Sequence, residues 1–248
     1  MKAEKEMCGI VLAGGKGTRL GELTNVISKQ LLPVYKQPMV YYPLKTLKDM
    51  GITRILIIVS SVLQEQLFYS QLGDGSKFGL QLSYKIQEKA NGLAEAFILG
   101  EEFIGESDVT LILGDNVFLL NNKITPVKNT IFTYKVKNPS AYGVAKLDIY
   151  GELEDIVEKP EEFISDNAVV GLYIFTSSVI DVAKRIKPSK RGELEIVDVI
   201  KIINNEQYIN VEEISGVWFD CGTPDDLLEC AEYVRALTKR TNRDTLLR

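Results

Sequence analysis

The stretch LAGGKGTRLGELTNVISKQLLP, residues 12–33, decides how this chain is read. It continues a short apolar run, CGIVLAG (8–14), that ends on glycine, the pattern of a buried strand feeding a loop. Gly14, Gly15 and Gly17 crowd the start of that loop, and Thr18 and Arg19 come next. Glycine lets backbone N–H groups approach phosphate oxygens with no Cβ in the way. The Arg19 guanidinium adds a planar fork for the same oxygens. Lys29 and Gln30 follow after a short polar stretch. The segment is therefore a candidate phosphate holder, with a plain tight turn as the alternative.

Spacing excludes two familiar phosphate loops. A Walker A loop needs Lys followed by Ser or Thr, but Lys16 is followed by Gly17. The dinucleotide pattern G-x-G-x-x-G, started at Gly15 and Gly17, ends on Leu20, and no downstream acid is placed to catch a ribose. Kinase and dehydrogenase readings are disfavoured accordingly.

Outward from the loop, strand and helix patterns alternate. PMVYYPLKTLKDMG (38–51), LQEQLFYSQLG (63–73) and GLAEAFILGEEFIG (92–105) read as helices. RILIIVSS (54–61), LQLSYKIQ (80–87) and VTLILGDN (109–116) read as strands. This alternation predicts an α/β fold with a doubly wound, Rossmann-like mixed sheet, whose ligands sit at the C-terminal strand ends. Residues 14–19 and 114–116 should then face one crevice. Four later runs (130–136, 142–148, 153–159, 168–175) are short and Gly- or Pro-punctuated, which suggests an antiparallel portion. Helices are expected at 177–187, 194–204 and 224 to about 237, a strand at 216–220, and a polar, fraying tail at 238–248. The chain reads as a single domain with a first half at about 8–125 and a second at 126–237, sharing one sheet.

Composition narrows the chemistry. The 248 residues are 45% hydrophobic and 25% charged, ordinary for a globular protein with a sizeable core. A net charge of −5 argues against nucleic acid and anionic membranes as partners. No apolar run approaches the ~20 residues of a membrane span, and MKAEKEMCGI is too charged for a signal peptide. Met7 is an alternative start. Cys8, Cys221 and Cys230 form neither a disulfide framework nor a zinc pattern, which points to free thiols in the cytoplasm. There is no histidine. That removes Ser-His-Asp and Cys-His hydrolysis, HExxH chemistry and histidine phosphotransfer. Carboxylates, Lys, Arg, backbone dipoles or an oxygen-bound metal remain, and oxygen ligands with phosphates suggest Mg²⁺.

LAGGKGTRL and SKQLLPVYKQPMVYYPL together resemble the signature of the sugar-1-phosphate nucleotidylyltransferases. QEKANGLAEAF (87–97), LILGDN (111–116), YGV with EKP (142–160), RGELEIVDV (191–199) and WFDCGTPDDLLE (218–229) agree in order. The resemblance covers residues 8 to about 235, and to longer members this chain looks like a short form. It implies a nucleotide-diphospho-sugar transferase-like fold, with the first half binding nucleotide and the second binding sugar phosphate. It implies Mg²⁺-dependent, in-line transfer from dTTP to glucose 1-phosphate, giving dTDP-glucose and pyrophosphate, in a homo-oligomer. UTP, CTP, another hexose 1-phosphate, or a silent nucleotide-sugar-binding regulator are the alternatives.

The resemblance also assigns roles. Asp115 and Asp220 would hold the metal, and Arg19 and Lys29 the triphosphate; these four are the candidate catalytic residues. Leu12, Gly14, Gly15, Gly17, Thr18, Gln30, Gln87, Gly92, Leu93 and Asn116 would bind the nucleotide. Tyr142, Gly143, Glu158, Lys159, Val169 and Arg191 would bind the sugar phosphate, and Trp218 would be core or pocket wall. Gly21 and Glu22, Glu95, Val170 and Cys221 depart from the family's usual residues, which bears on base and sugar more than on the reaction.

Overall fold

The computed structural model describes residues 6–15 and 17–241. The expectations for the N-terminal five residues and for the tail beyond 241 lie outside the described residues, as does Lys16. In chain order the elements are β1 (Met7–Leu12), β2 (Pro33–Val34), β3 (Gln37–Pro38), α1 (Tyr41–Asp49), β4 (Arg54–Val59), α2 (Val62–Leu72) and β5 (Gln81–Ile86). Next come α3 (Glu95–Leu99), α4 (Glu101–Ile104), β6 (Asp108–Leu113), β7 (Asn116–Leu120), β8 (Thr130–Lys135), β9 (Gly143–Leu147) and β10 (Leu153–Glu158). The chain ends with β11 (Asn167–Phe175), α5 (Val179–Arg185), α6 (Ile196–Glu206), β12 (Asn210–Glu213), β13 (Gly216–Asp220) and α7 (Pro224–Thr241).

The fold is mixed α/β with a mostly parallel central sheet, as the alternating pattern requires. The chain forms two compact units that are interleaved rather than successive. The first comprises Gly9–Ala90, Ile112–Ile124 and Gly216–Arg248; the second comprises Met1–Cys8, Asn91–Leu111 and Thr125–Ser215. The C-terminal segment, read from the sequence as part of a later half, thus belongs with the glycine loop.

In the first unit, β1, β4 and β5 are neighbours in that order. The ladders β1–β4 and β4–β5 are parallel, with Leu12 opposite Ile58 and Val59 opposite Ile86. The apolar runs of β1 and β4 are buried almost throughout, whereas β5 alternates exposed and buried positions, as an edge strand should. The segment 109–116 is not one strand. It turns sharply at Gly114 and Asp115, and β7 departs as half of an antiparallel ribbon with β13. One face of that ribbon, Val117, Leu119 and Phe219, packs on Val34, Met39, Tyr42, Cys221, Cys230 and Val234 beneath α7.

In the second unit β10, β9, β11 and β6 are neighbours in that order, and β8 and β12 extend from β11. The ladders β10–β9, β11–β9 and β11–β8 are antiparallel, as the punctuated runs suggested. Strand β12 was not anticipated and runs parallel to β8. The nine-residue β11 is buried from Ala168 to Phe175, and Phe175 meets Phe97 of α3 edge-on at 5.8 Å. The helix expected at 92–105 is two short helices meeting at Gly100.

Candidate functional site

The first unit gathers most of the candidates around the ends of β1, β5, β6 and β13. Leu12 closes β1, and the loop after it runs through Gly14, Gly15 and Gly17 into a 3₁₀ turn, Thr18–Thr24, that carries exposed Thr18 and Arg19. A second 3₁₀ turn, Lys29–Leu31, brings Lys29 back to the loop. A Cβ built at Gly15 would lie 3.5 Å from Lys29 Cε, and one at Gly14 would lie 3.2 Å from Gln87 Oε1. Gln30 is buried, accepts a 2.5 Å hydrogen bond from Ser28 and lies against Gly114.

The ribbon sets the two candidate metal carboxylates. Asp115 occupies the turn before β7, and Asp220 ends β13 directly opposite Asn116. The Cys221 N–H donates to the Asp115 carbonyl at 3.0 Å, which closes the ribbon behind them. Lys29 makes an ion pair with Asp115, both side chains being nearly out of solvent. Arg19 Nη2 stands 3.8 Å from Asp220 Oδ2, an electrostatic contact too long for a hydrogen bond. Burial, then the charge of Asp115, push Asp220 up to about 6 against the pull of Arg19 and Lys29. Two carboxylates that repel each other while partly buried suit a hard divalent cation. Among the described residues no larger cluster of acidic, Cys or His groups is placed for a metal. Two carboxylates match Mg²⁺, which takes few protein ligands and completes its shell with phosphate oxygens and water.

The sugar-side candidates lie in the second unit. The β9–β10 ladder sets Gly143 opposite Glu158, and the Lys159 N–H donates to the Tyr142 carbonyl at 2.9 Å. Lys159 holds a left-handed φ of 46° and places Nζ 3.9 Å from Glu158 Oε1. Arg191 Nη2 donates to the same Oε1 at 3.1 Å. Burial raises Glu158 above the usual carboxylate range, outweighing Arg191 and Lys159. The wholly buried Tyr173 is raised by burial and then by the Glu158 charge. Val169 is buried on β11. A cleft of about 320 Å³ is lined by Glu158, Arg191, Glu195, Val197 and Lys201 among others. Gly92 and Leu93 also belong to this unit. Gly92 has φ 105°, and a Cβ there would sit 2.4 Å from the Leu194 carbonyl oxygen, so only glycine fits. The Leu194 N–H donates to Asn91 at 2.6 Å, and its carbonyl accepts from Ala94 at 3.2 Å.

Two residues beside these candidates were not assigned by the sequence reading. Glu195, four residues after Arg191, accepts from Arg191 Nε at 3.2 Å and Nη2 at 2.9 Å, and from Ser189 at 2.6 Å. The i,i+4 spacing within RGELE was the available signal. Gly222 lies under Arg19, and a Cβ there would fall 2.4 Å from Nη2. Trp218, read as core or pocket wall, is buried, and its indole N–H donates to Asn116 Oδ1 at 2.8 Å. Its place two residues before Asp220, on the same strand face, was the clue.

With this geometry described, similarity to known proteins identifies the class. Residues 8–236 match the family described as nucleotidyl transferase, and the chain belongs to that family. The glucose-1-phosphate thymidylyltransferase of Mycolicibacterium smegmatis is 45% identical over 94% of this chain and 84% of its own length. That of Neisseria meningitidis is 43% identical over 95% and 85%. A solved Bacillus anthracis structure, described as a glucose-1-phosphate thymidylyltransferase in complex with sucrose, superposes with a TM-score of 0.87 at 36% identity, covering 97% of this chain and 98% of that one. A UDP-glucose pyrophosphorylase bound to UDP-glucose shares the fold with a TM-score of 0.83 at 22% identity, covering 94% and 99%.

Proposed function

We infer that this chain transfers a thymidylyl group from dTTP to glucose 1-phosphate, giving dTDP-glucose and pyrophosphate. The observation that carries the reading is the Asp115–Asp220 pair beside the glycine loop, with Lys29 on one carboxylate and Arg19 by the other. Relatives more than 40% identical that carry this activity support the choice of substrates.

The sugar phosphate is already an anion, so its oxygen needs no general base, which suits a chain without histidine. Catalysis is then a matter of bringing two anions into line and offsetting their repulsion. Mg²⁺, held by Asp115 and Asp220, would supply charge neutralisation at the phosphate oxygens. Arg19, Lys29 and the N–H groups of Gly14, Gly15 and Gly17 grip the triphosphate and the departing pyrophosphate, with Leu12, Thr18 and Gln30 shaping the loop. Gln87 and the Gly92 N–H read the pyrimidine edge, with Leu93 packed near the base. Glu158 accepts hydrogen bonds from sugar hydroxyls, and Lys159 and Arg191 take the sugar phosphate in a pocket lined by Tyr142, Gly143 and Val169. Among the described residues Cys8, Cys221 and Cys230 are buried and in no disulfide, which supports a reducing cytoplasm. Among the described residues no helix is long and apolar enough to cross a membrane.

The test is pyrophosphate release with Mg²⁺ and glucose 1-phosphate, crossed with dTTP, UTP, CTP, ATP and GTP. Release that is strongest with dTTP is expected. Release with another base alone would change the substrate, and no release with any of the five would overturn the reading.

A further inference from the structure

We propose that Trp218 and Asn116 are positioning residues that orient the Asp115 carboxylate for a divalent cation. The inference rests on the metal role given above to Asp115 and Asp220.

Asp220 lies opposite Asn116 and Trp218 opposite Phe118. Directly opposed residues share a sheet face, and so do residues two apart on one strand. Asn116, Phe118, Trp218 and Asp220 therefore lie on one face, while Val117, Leu119 and Phe219 face the apolar cluster under α7. Trp218 and Asn116 are diagonal neighbours, within reach of a long aromatic side chain. The indole Nε1–H donates to Asn116 Oδ1 at 2.8 Å, in a buried contact. An indole nitrogen can only donate, so this bond fixes which end of the Asn116 amide faces Trp218. The amide nitrogen must then point the other way, and it donates to Asp115 Oδ1 at 3.2 Å, again buried. Lys29 holds the other carboxylate oxygen.

Asp115 is thus gripped at both oxygens, and a carboxylate in a turn acquires the fixed orientation that a strand position would have lent it. Its remaining lone pairs stay available to a cation. The requirement for this arrangement is specific. An aliphatic side chain at 116 would release Oδ1, and an aromatic ring without an N–H at 218 would remove the donor that keeps the amide oxygen turned away from the carboxylate. Outer partners of metal ligands typically contribute 10–100-fold to metal affinity.

Mn²⁺ affinity of the full chain without substrates tests this, measured from the electron paramagnetic resonance signal of the free ion. The variants are Asp115→Asn, Trp218→Phe, Asn116→Ala and the double variant. Asp115→Asn should abolish tight binding; if it binds as the parent does, the metal site itself is misassigned and the inference falls with it. With Asp115→Asn inactive in binding, Trp218→Phe and Asn116→Ala should each weaken Mn²⁺ about tenfold or more. The double variant should lose no more than Asn116→Ala alone, because Trp218 acts through Asn116. Parent-like affinity in both single variants, or additive losses in the double, would overturn the relay and leave the metal site standing. Trp218 is the chain's sole tryptophan, so its own fluorescence gives a second reading on the unmutated protein. Mn²⁺ should quench it saturably at the midpoint found by resonance, and an emission indifferent to Mn²⁺ at saturation would count against the proposal.

Discussion

The two charged clusters of this molecule are built on opposite plans. Around Asp115 and Asp220 the two carboxylates and Lys29 are largely shielded while Arg19 is exposed, and each carboxylate has few partners: Lys29 and Asn116 on Asp115, Arg19 facing Asp220. Around Glu158, Arg191 stands on a segment outside regular structure, is substantially exposed, and is shared among Glu158, Glu193 and Glu195. In the first, Asp220 is fixed by the ladder register and Asp115 by the turn beside it, whose carbonyl accepts from the Cys221 N–H. In the second, Arg191 divides its Nη2 between Glu158 and Glu195 and gives its Nε to Glu195, so one acceptor can be exchanged for another. Carboxylates with fixed positions thus make up one cluster, and a guanidinium shared among several carboxylates makes up the other.

The contrast can be broken most sharply at the rigid cluster. Asp115→Asn and Asp220→Asn should each lower kcat about a thousandfold or more with far-ultraviolet circular dichroism unchanged, since the amide is isosteric and the ribbon does not depend on the charge. A variant within tenfold of the parent would remove that carboxylate from the site. At the exchangeable cluster, Arg191→Ala should lower kcat/KM for glucose 1-phosphate about 10–100-fold while the KM for dTTP holds steady, the signature of one lost charge-assisted contact. Equal losses toward both substrates would mean that Arg191 shapes the whole site.

A smaller effect sharpens the rigid side. Gly222→Ala puts a methyl group 2.4 Å from Arg19 Nη2, so the guanidinium must leave its place near Asp220. About a tenfold fall in kcat is expected, because a long side chain recovers part of its reach. Parent-like kinetics would show that Arg19 takes up its working position only with the triphosphate bound.

The smallest effect concerns stability. Glu158 is raised by burial, so its neutral form suits the folded state better. The stability associated with the neutral form is present below the ordinary glutamate range and is lost as pH rises through the raised value. Glu158→Gln should therefore melt near the parent in acid and gain on it as the pH climbs, while losing activity. A melting difference flat across that window would contradict it.

Much of this was readable along the chain. The strand–helix alternation of residues 8–113, the glycine loop, and aspartates placed after apolar runs are local patterns, and local patterns carry the hydrophobic period directly. The second unit's antiparallel ladders were legible for the same reason. What was missed depends on partners far away in sequence. VTLILGDN reads as one strand because nothing local announces that β7 leaves the sheet to pair with β13, a hundred residues on. The apolar spacing of 92–105 continues through Gly100, where the helix breaks. Glu195 and Gly222 look like a surface acid and a turn glycine until Arg191 and Arg19 are seen against them.

The amino-acid sequence by itself determined the α/β class, the glycine-rich loop after the first strand and the lack of histidine, because periodicity, glycine content and composition need no third dimension. Only the tertiary structure decided that Asp220 faces Asn116, that Trp218 reaches across to the same amide, and that the C-terminal segment joins the unit of the glycine loop. Those follow from the register of a ladder between distant strands, and a register is set by the packing of both strands together rather than by either alone.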